Sequence, residues 1–473
     1  MISQLFSLVK LWLDIYIFLI YNSLNDLRGY LMKIQLSDHF SYKNLIRFTL
    51  PSVVMMVFTS IYSLVDGFFV SNFVGESAFE AVNFIMPYTM ILGSVGFMFG
   101  TGGCALVSKT LGEGNREKAN KIFSLFIYLP AIIGVVLSLL GNIFIEEAAT
   151  LLGASGQLHA NAVTYGMIIV AGNVFYMLQV EFQSFFVTAE KPKLGLIFTV
   201  ASGVTNIILD GLFVGLFGWG LVGAAVATVL SQIVGCVGPI VYFARENSSL
   251  LKLGEASRDL KSLLQGCLNG SSELMTNISL SVVGMLYNFQ LLKYLGDDGL
   301  AAYGVLMYVN FIFIAVFLGY AIGSAPIIGY NYGANRHGEL HGVFKKSLII
   351  MGVLSVSMFI LSVALAKPMS YLYVGYNEEL RQLTEHAFYI YSFSFLFSGF
   401  GIFGSSFFTA LNDGPVSAAI SFLRTFAFQV VAVLILPLIF DVDGIWAAMV
   451  VAEGLAVIVT ALFMIIKRKK YKY

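Results

Sequence analysis

Long apolar runs alternate with short charged clusters along this chain, and that pattern restricts the folds open to it. Of its 473 residues, 58% are hydrophobic and 11% are charged, whereas soluble globular chains carry about 25% charged residues. A helix needs about 20 apolar residues to cross a bilayer. The runs are continuously apolar and lack the alternation of barrel strands. We therefore expect an all-α integral membrane protein.

Hydropathy divides the chain into twelve membrane spans, numbered 1 to 12 from here on. They are predicted at 45–73, 80–108, 119–144, 160–187, 194–217, 220–243, 263–292, 301–330, 343–366, 386–410, 416–438 and 444–466. Lysine and arginine cluster in the loops after spans 2, 4, 6 and 8 and in the tail KRKKYKY, whereas the opposite loops hold few. Because basic loops stay in the cytoplasm, we expect both termini there and the chain in the cell (cytoplasmic) membrane.

The sequence repeats itself at a nearly fixed offset. GESAFEAVNFIMPY resembles GDDGLAAYGVLMYV, and at the same offset Gly102 matches Gly323 and Gly112 matches Gly333. Six helices return the chain to its starting side, so the halves are parallel repeats about an axis along the membrane normal. The expected units are two pseudo-two-fold-related six-helix lobes at 37–243 and 263–466, a cytoplasmic linker at 244–262 and a basic tail at 467–473.

Residues 1–36 form an N-terminal extension outside this repeat. The run LWLDIYIFLIY is short and contains Asp14, and no small-residue cleavage site follows it, which argues against a signal peptide. Met32 opens a stretch typical of a natural start. We expect 1–31 to be an upstream extension, with an interfacial helix as the alternative.

Polar side chains occur deep within three apolar spans of the first lobe. Asn206 and Asp210 lie one turn apart in span 5, within TNIILDGLFV. Asp66 follows Tyr62 by one turn in span 1, and Thr228 lies in span 6. An Asp at mid-membrane costs about 2.5–3.5 kcal/mol on insertion scales, and such acids are usually functional. We predict that the carboxyl groups of Asp66 and Asp210, with Asn206 and Thr228, bind H⁺ or Na⁺ and that Tyr62 supports this site. The alternative is a structural contact between helices.

The second lobe does not repeat these acids. The positions that match Asp66, Asn206, Asp210 and Thr228 are Tyr287, Gln429, Val433 and Ala452. Three other acids within spans are candidate supporting or substrate-site residues: Glu181, Glu273 and Glu453. Snorkelling or pairing near an interface is the alternative for each of them. Pro51 in span 1 is the predicted hinge.

Other function classes lack their sequence signatures. The net charge is zero, so no basic field indicates nucleic acid. The three cysteines lack the spacing of a metal clip, and His337 and His341 lack a third ligand, so no metal beyond Na⁺ is expected. GEGNRE lacks the Lys-Ser/Thr of a P-loop. We expect a protein that is not an enzyme and that uses no cofactor besides its coupling ion.

These features resemble the MATE (multidrug and toxic compound extrusion) family of the MOP flippase superfamily. The resemblance covers residues about 37–467 and rests on LPSVVMMVFTSIYSLVDGFFVSNFVG, KTLGEGNREKA, FFVTAEKPKLG, TNIILDGLFV and PIIGYNYGANR. The resemblance implies two lobes around a central cavity. It also implies export of organic cations or amphipathic drugs in exchange for H⁺ or Na⁺. We expect the chain to be a monomer. The resemblance places the first-lobe cation site on Asp66, Asn206, Asp210 and Thr228. Some members of the family also carry an acidic pair in the second lobe, on spans 7 and 10. In this chain, span 10 has no acid at depth.

Three alternatives stay open. A lipid-linked oligosaccharide flippase of the same superfamily would favour a more basic cavity. The spans of this chain are nearly free of Lys and Arg, and Arg424 is the exception. An integral-membrane enzyme would need His, Asp or Ser clustered at an interface. A sensor or scaffold without transport would tolerate loss of Asp210.

The basic loops predict which segments an external reagent reaches. A cysteine placed near Gly296, in the loop after span 7, is expected to react with an impermeant thiol reagent added to intact cells. A cysteine near Lys252, in the linker, is expected to react only after permeabilisation. The reverse labelling pattern would contradict the orientation.

Overall fold

Twelve membrane-crossing helices in two lobes make up the part of the chain that the structure describes. The structure is a computed structural model, and it describes residues 34–473; the extension predicted at 1–31 lies outside the described residues. No strand occurs within 34–473. Nine helices there are apolar and long enough to cross a membrane, and two bent pairs raise the number to eleven. The twelfth is span 7, of 36 residues, which is more polar because it carries Lys261, Glu273 and Lys293.

The observed helices are longer than the hydropathy pattern predicts, except span 11, which has 22 residues. Spans 1 to 6 occupy Tyr42–Val74, Glu76–Gly112, Arg116–Ile143, Gly156–Ala171 with Asn173–Thr188, Pro192–Leu216 and Gly220–Ala244. Spans 7 to 12 occupy Leu260–Leu295, Asp297–Gly333, His337–Val374, Glu378–Ser392 with Phe395–Ala410, Gly414–Ile435 and Pro437–Tyr471. Hydropathy detects only the lipid-embedded core of each helix, and a helix of 37 residues extends well beyond about 30 Å of hydrocarbon.

Two segments outside the predicted spans are helical in the structure. The loop predicted after span 3 contains a short helix, Ile145–Leu152, whose two glutamates lie in its first turn. The tail predicted at 467–473 continues span 12 as helix to Tyr471, and the rings of Tyr471 and Tyr473 are buried. The Tyr471 hydroxyl donates to Asp413 Oδ2 over 2.6 Å, which holds the end of span 12 against the loop between spans 10 and 11.

Five spans depart from regular helix at specific places. Spans 4 and 10, which match in the repeat, bend by 54° and 47° at the breaks between their two helices. Spans 1, 5 and 11 each contain a π-helical segment: Val70–Val74, Gly211–Leu216 and Leu423–Ala427. Because π-helical turns often mark functional sites, these segments direct attention to the residues beside them.

Glycines let the two lobes touch by their backbones. A Cβ on Gly112 of span 2 would overlap the carbonyl oxygen of Tyr330, and a Cβ on Gly333 of span 8 would overlap that of Lys109. Each carbonyl belongs to the residue three positions before the other glycine, so the contact is reciprocal, as a two-fold axis requires. The predicted Gly112–Gly333 match therefore lies at the axis between the lobes.

A second set of close contacts extends this seam. Span 2 meets span 7 where a Cβ on Gly102 would overlap the backbone of Gly266. Span 8 meets span 1 where a Cβ on Gly323 would lie 2.9 Å from Thr49 Cβ. The buried residues of span 1 up to its π segment stop at Met55, and the rest of that helix is partly or fully exposed. The lobes therefore close on each other at the end that carries the chain terminus and leave the other half of span 1 open.

The seam predicts unequal effects of added methyl groups. Gly112→Ala or Gly333→Ala forces two backbones apart, and we expect each to lower the free energy of unfolding by about 1–3 kcal/mol. Gly304→Ala in span 8 has no atom within 4 Å of the new Cβ and is expected to be neutral or slightly stabilising. Thermal unfolding in detergent measures all three. Equal effects at Gly304 and Gly333 would contradict the backbone contact.

Candidate functional site

The four predicted cation-site residues come together inside the first lobe. Thr228 Oγ1 donates to Asp66 Oδ1 over 3.3 Å, and Asn206 Nδ2 donates to Thr228 Oγ1 over 3.5 Å. These bonds form a relay from span 5 through span 6 to span 1. The hydroxyl of Thr228 both accepts and donates, so it links the Asn206 amide to the Asp66 carboxyl.

The carboxyl group of Asp210 completes the pocket. It lies within hydrogen-bonding reach of the Asp66 carboxyl. Asp210 is fully buried, and neither of its carboxyl oxygens receives a hydrogen bond from a conventional donor among residues 34–473. Two ionised carboxylates only accept, so they can bond to each other only when one carries a proton. A hydrogen bond between the Asp66 and Asp210 carboxyl groups would therefore require a proton on one of them.

A single glycine sets how closely spans 1 and 5 approach. A Cβ on Gly203 would lie 2.5 Å from Phe58 Cε1 and 2.9 Å from Tyr62 Cδ1. Gly203 lies two turns before Asp210, and Tyr62 lies one turn before Asp66. The crossing at Gly203 therefore brings the two carboxyl groups to the same level.

Both acids lie where regular helix gives way to π-helix. Asp210 is the last α-helical residue before Gly211–Leu216, and the amide of Val70, which leads into the π segment of span 1, donates to the Asp66 carbonyl. The two π segments contact each other. A π-helical turn is wider than an α-helical turn, so the side chains that follow each acid point in other directions than they would in a regular helix.

Two residues of span 4 adjoin the pocket, and the sequence analysis missed both. Tyr165, which is buried, lies close enough to feel the charges of Asp66 and Asp210. Gln179 adjoins the Tyr62 hydroxyl and donates to Ser202 Oγ over 3.2 Å. Neither could be found from the sequence because the bend in span 4 decides which of its faces meets spans 1 and 5.

The other candidate residues lie outside this pocket. Glu181 is fully buried between Gly100 of span 2 and Cys236 of span 6, and its carboxyl oxygens have no hydrogen-bond partner among the described residues. Pro51 is buried within the continuous helix Tyr42–Phe69. The structure places Glu181 in the packed interior of the first lobe, away from the Asp66–Asp210 pair.

Glu273 and Glu453 belong to a separate cluster in the second lobe. Arg424 Nε lies 4.0 Å from Glu453 Oε1, and the same guanidinium is near the carboxyl of Glu273. Their spans 7, 11 and 12 match spans 1, 5 and 6. The matching positions themselves carry no acid: Tyr287, Gln429, Val433 and Ala452. The second lobe therefore holds a mixed acid–guanidinium cluster where the first lobe holds a carboxyl pair.

A sequence model described as MatE matches residues 51–212 and, again, residues 274–435. The chain is a member of the MATE family. The two matched ranges are equal in length, which agrees with the repeat seen in the sequence. MATE proteins are multidrug efflux transporters, so this chain belongs to a family of transporters and not of enzymes.

Curated relatives of this MATE chain are multidrug export proteins. It is 23% identical over 432 residues to the multidrug export protein MepA of Staphylococcus aureus strain MSSA476, covering 91% of this chain and 94% of that protein. It is 24% identical over 440 residues to MepA of Staphylococcus saprophyticus, with 91% and 94% covered.

Solved structures share its fold. An outward-facing multidrug resistance MATE transporter of the MOP superfamily superposes with a TM-score of 0.87 at 20% identity, over 94% of this chain and all (100%) of that one. A MOP superfamily transporter from Pyrococcus furiosus, described as having a binding pocket of reverse polarity, superposes at 0.86 with 21% identity, with 94% and 100% covered.

The close crossing at Gly203 leads to a test of the pocket. Gly203→Leu pushes span 1 away from span 5 and separates the carboxyl pair, so we expect drug export to fall sharply. Gly211→Ala, in the π segment next to Asp210, places its Cβ where no atom lies within 4 Å and is expected to retain export. Efflux of a fluorescent cation from cells with matched protein levels measures both. Normal export by Gly203→Leu would contradict the geometric role of this crossing.

Proposed function

We propose that this MATE chain is a secondary antiporter that exports cationic or amphipathic organic compounds in exchange for H⁺ or Na⁺ by alternating access. The observation that carries the proposal is the carboxyl pair between spans 1, 5 and 6, in which Asp210 and Asn206 are buried and Asp66 and Thr228 are half-buried. The multidrug export relatives support organic drugs as the transported class.

The carboxyl pair supplies the coupling. Two adjacent carboxylates in a water-poor pocket repel each other, so a cation that enters between them stabilises the arrangement that holds them together. A drug that binds more tightly to the other arrangement is driven by the cation gradient through this difference in affinity. A neutral residue at Asp210 could not respond to that gradient.

The polar contacts favour H⁺ as the coupling ion. The Asp210 oxygens have no conventional donor among residues 34–473, and a proton shared with Asp66 would supply one. A Na⁺ ion would instead need several oxygens around it, and the pocket offers the two carboxyls, the Asn206 amide and the Thr228 hydroxyl. Na⁺ therefore remains the alternative that the transport assay decides.

The expected location is the cytoplasmic membrane with both termini inside the cell. The basic loops support this orientation. The seam at Gly112 and Gly333 would then close the cytoplasmic side, and the more exposed second half of span 1 would lie toward the outside. The superposition on a transporter described as outward-facing agrees with that assignment.

Asp210→Asn tests the proposal directly. The variant keeps the shape of the side chain but cannot bind a proton, so we expect gradient-driven efflux to fall at least tenfold while the protein still inserts into the membrane. Asp66→Asn is expected to behave in the same way. The measurement is efflux of a fluorescent organic cation from proteoliposomes under an imposed pH gradient, and then under an imposed Na⁺ gradient.

A matched pair of amide variants provides the control. Asn206→Ala removes the amide beside Thr228, whereas Gln429→Ala removes the equivalent buried amide of the second lobe. Efflux is expected to fall only in Asn206→Ala. Wild-type rates in both aspartate variants would refute the coupling role of the pocket, and drive by Na⁺ alone would exclude H⁺.

A further inference from the structure

The segment before span 1 crosses from one lobe to the other. Residues 36–40, called the strap here, run from the loop between spans 4 and 5 to the start of span 9. Leu36 and Phe40, at its two ends, are both fully buried. Their side chains pack into the same apolar core as the second lobe, and the Phe40 ring meets Phe48 of span 1 edge to face at 5.9 Å.

One end of the strap is tied to the first lobe by Glu190. The amide of Leu36 donates to Glu190 Oε1 over 2.7 Å, and both groups are buried. Glu190 lies between spans 4 and 5 with a left-handed backbone, at φ 58°. A side chain other than glycine or asparagine is uncommon in that conformation, so the loop presents this carboxylate at a backbone cost.

The other end of the strap is tied to the second lobe by Glu339 at the start of span 9. The amide of Phe40 donates to Glu339 Oε1 over 2.8 Å, and His39 Nδ1 lies 2.7 Å from Glu339 Oε2. One carboxylate therefore holds two successive residues of the strap.

Two basic side chains add to the second-lobe attachment. Arg336 Nη1 donates to the Ser37 carbonyl over 2.6 Å, and Lys346 Nζ donates to the Phe40 carbonyl over 2.6 Å. Charge-assisted bonds of this length are about twice as strong as neutral ones. The strap is thus attached to both lobes, at the buried carboxylate of Glu190 and at the start of span 9.

We propose that the strap is a latch that holds the lobes together at the terminus side, with Glu190 as its attachment to the first lobe. The inference rests on the relative movement of the lobes proposed above. When the lobes part at the Gly112–Gly333 seam, the strap must lose one of its two attachments, either the bond from Leu36 to Glu190 or the bonds to span 9. Glu190 and Glu339 are then positioning residues that set the balance between the two conformations.

Glu190→Ala tests the latch by its effect on conformation. Spin labels at Glu117 of span 3 and Lys469 of span 12, on a background without the native cysteines, report the separation of the lobes at the terminus side. Loss of a buried bond to a charged acceptor is worth roughly tenfold in an equilibrium. We expect the ratio of open to closed molecules in reconstituted protein to rise by about that factor. Glu190→Gln keeps an acceptor oxygen and is expected to restore the wild-type ratio.

Asp413→Ala is the matched control. Asp413 lies in the equivalent loop of the second lobe and accepts from Tyr471 of the same lobe, so its loss should lower thermal stability without moving the ratio. If Glu190→Ala proves too unstable, Arg336→Gln loosens the same strap from its other end and is expected to raise the ratio as well.

The outcomes separate the latch from the transport proposal. In one outcome, the wild-type protein changes its label distance when drug or a pH gradient is applied, while the ratio of open to closed molecules stays at the wild-type value in Glu190→Ala and Arg336→Gln. That result overturns the latch alone. A label distance that no drug, gradient or variant changes overturns lobe movement and the latch with it. A shift of the same size in Asp413→Ala would also overturn the latch, because the effect would then be one of general stability.

Discussion

A carboxyl group without a donor or counter-ion is costly inside a bilayer, and Asp210 in the first lobe is such a group among the described residues. Asp210 is fully buried, and the group within its reach is the carboxyl of Asp66. Such a pair is stable with one positive charge and unstable without it. Under the proposed coupling, the pocket would have two states of different energy set by one cation, which is the element a gradient-driven transporter requires.

Close backbone contact, supplied by glycine, makes this arrangement sensitive to small movements. Gly203 fixes the approach of spans 1 and 5, and the reciprocal contacts of Gly112 and Gly333 fix the approach of the lobes. In lipid, helices associate by packing and not by exclusion of water, so close approach of small residues carries much of the binding between them. Backbone atoms cannot repack as long side chains can, so two helices joined by such a contact are either in close contact or apart.

The sequence was sufficient for the parts of this structure that depend on composition and periodicity. Twelve spans, two repeats and the Gly112–Gly333 match follow from apolar runs and a fixed offset. Asp66, Asn206, Asp210 and Thr228 could be singled out because a polar group in an apolar span is conspicuous. Tyr165 and Gln179 could not, since a tyrosine or glutamine gains a role only from the bend in span 4. The cluster of Glu273, Arg424 and Glu453 likewise depends on how spans 7, 11 and 12 pack, and the helical course of the tail to Tyr471 on a contact with Asp413.

Span 1 connects the pocket, the seam and the strap. Its first half is held to the second lobe by the strap and by the contact of Thr49 with Gly323, whereas Asp66 in its second half belongs to the carboxyl pocket of the first lobe. Pro51 lies between these two attachments and removes one backbone hydrogen bond from the helix. If the lobes move apart at the terminus side, the two halves of span 1 are drawn toward different lobes. The helix must then bend near Pro51, or one attachment of the strap must break. Under the proposed coupling, a cation that fixes Asp66 beside Asp210 would hold the second half in place, so the charge state of the pocket would bear directly on which of these occurs.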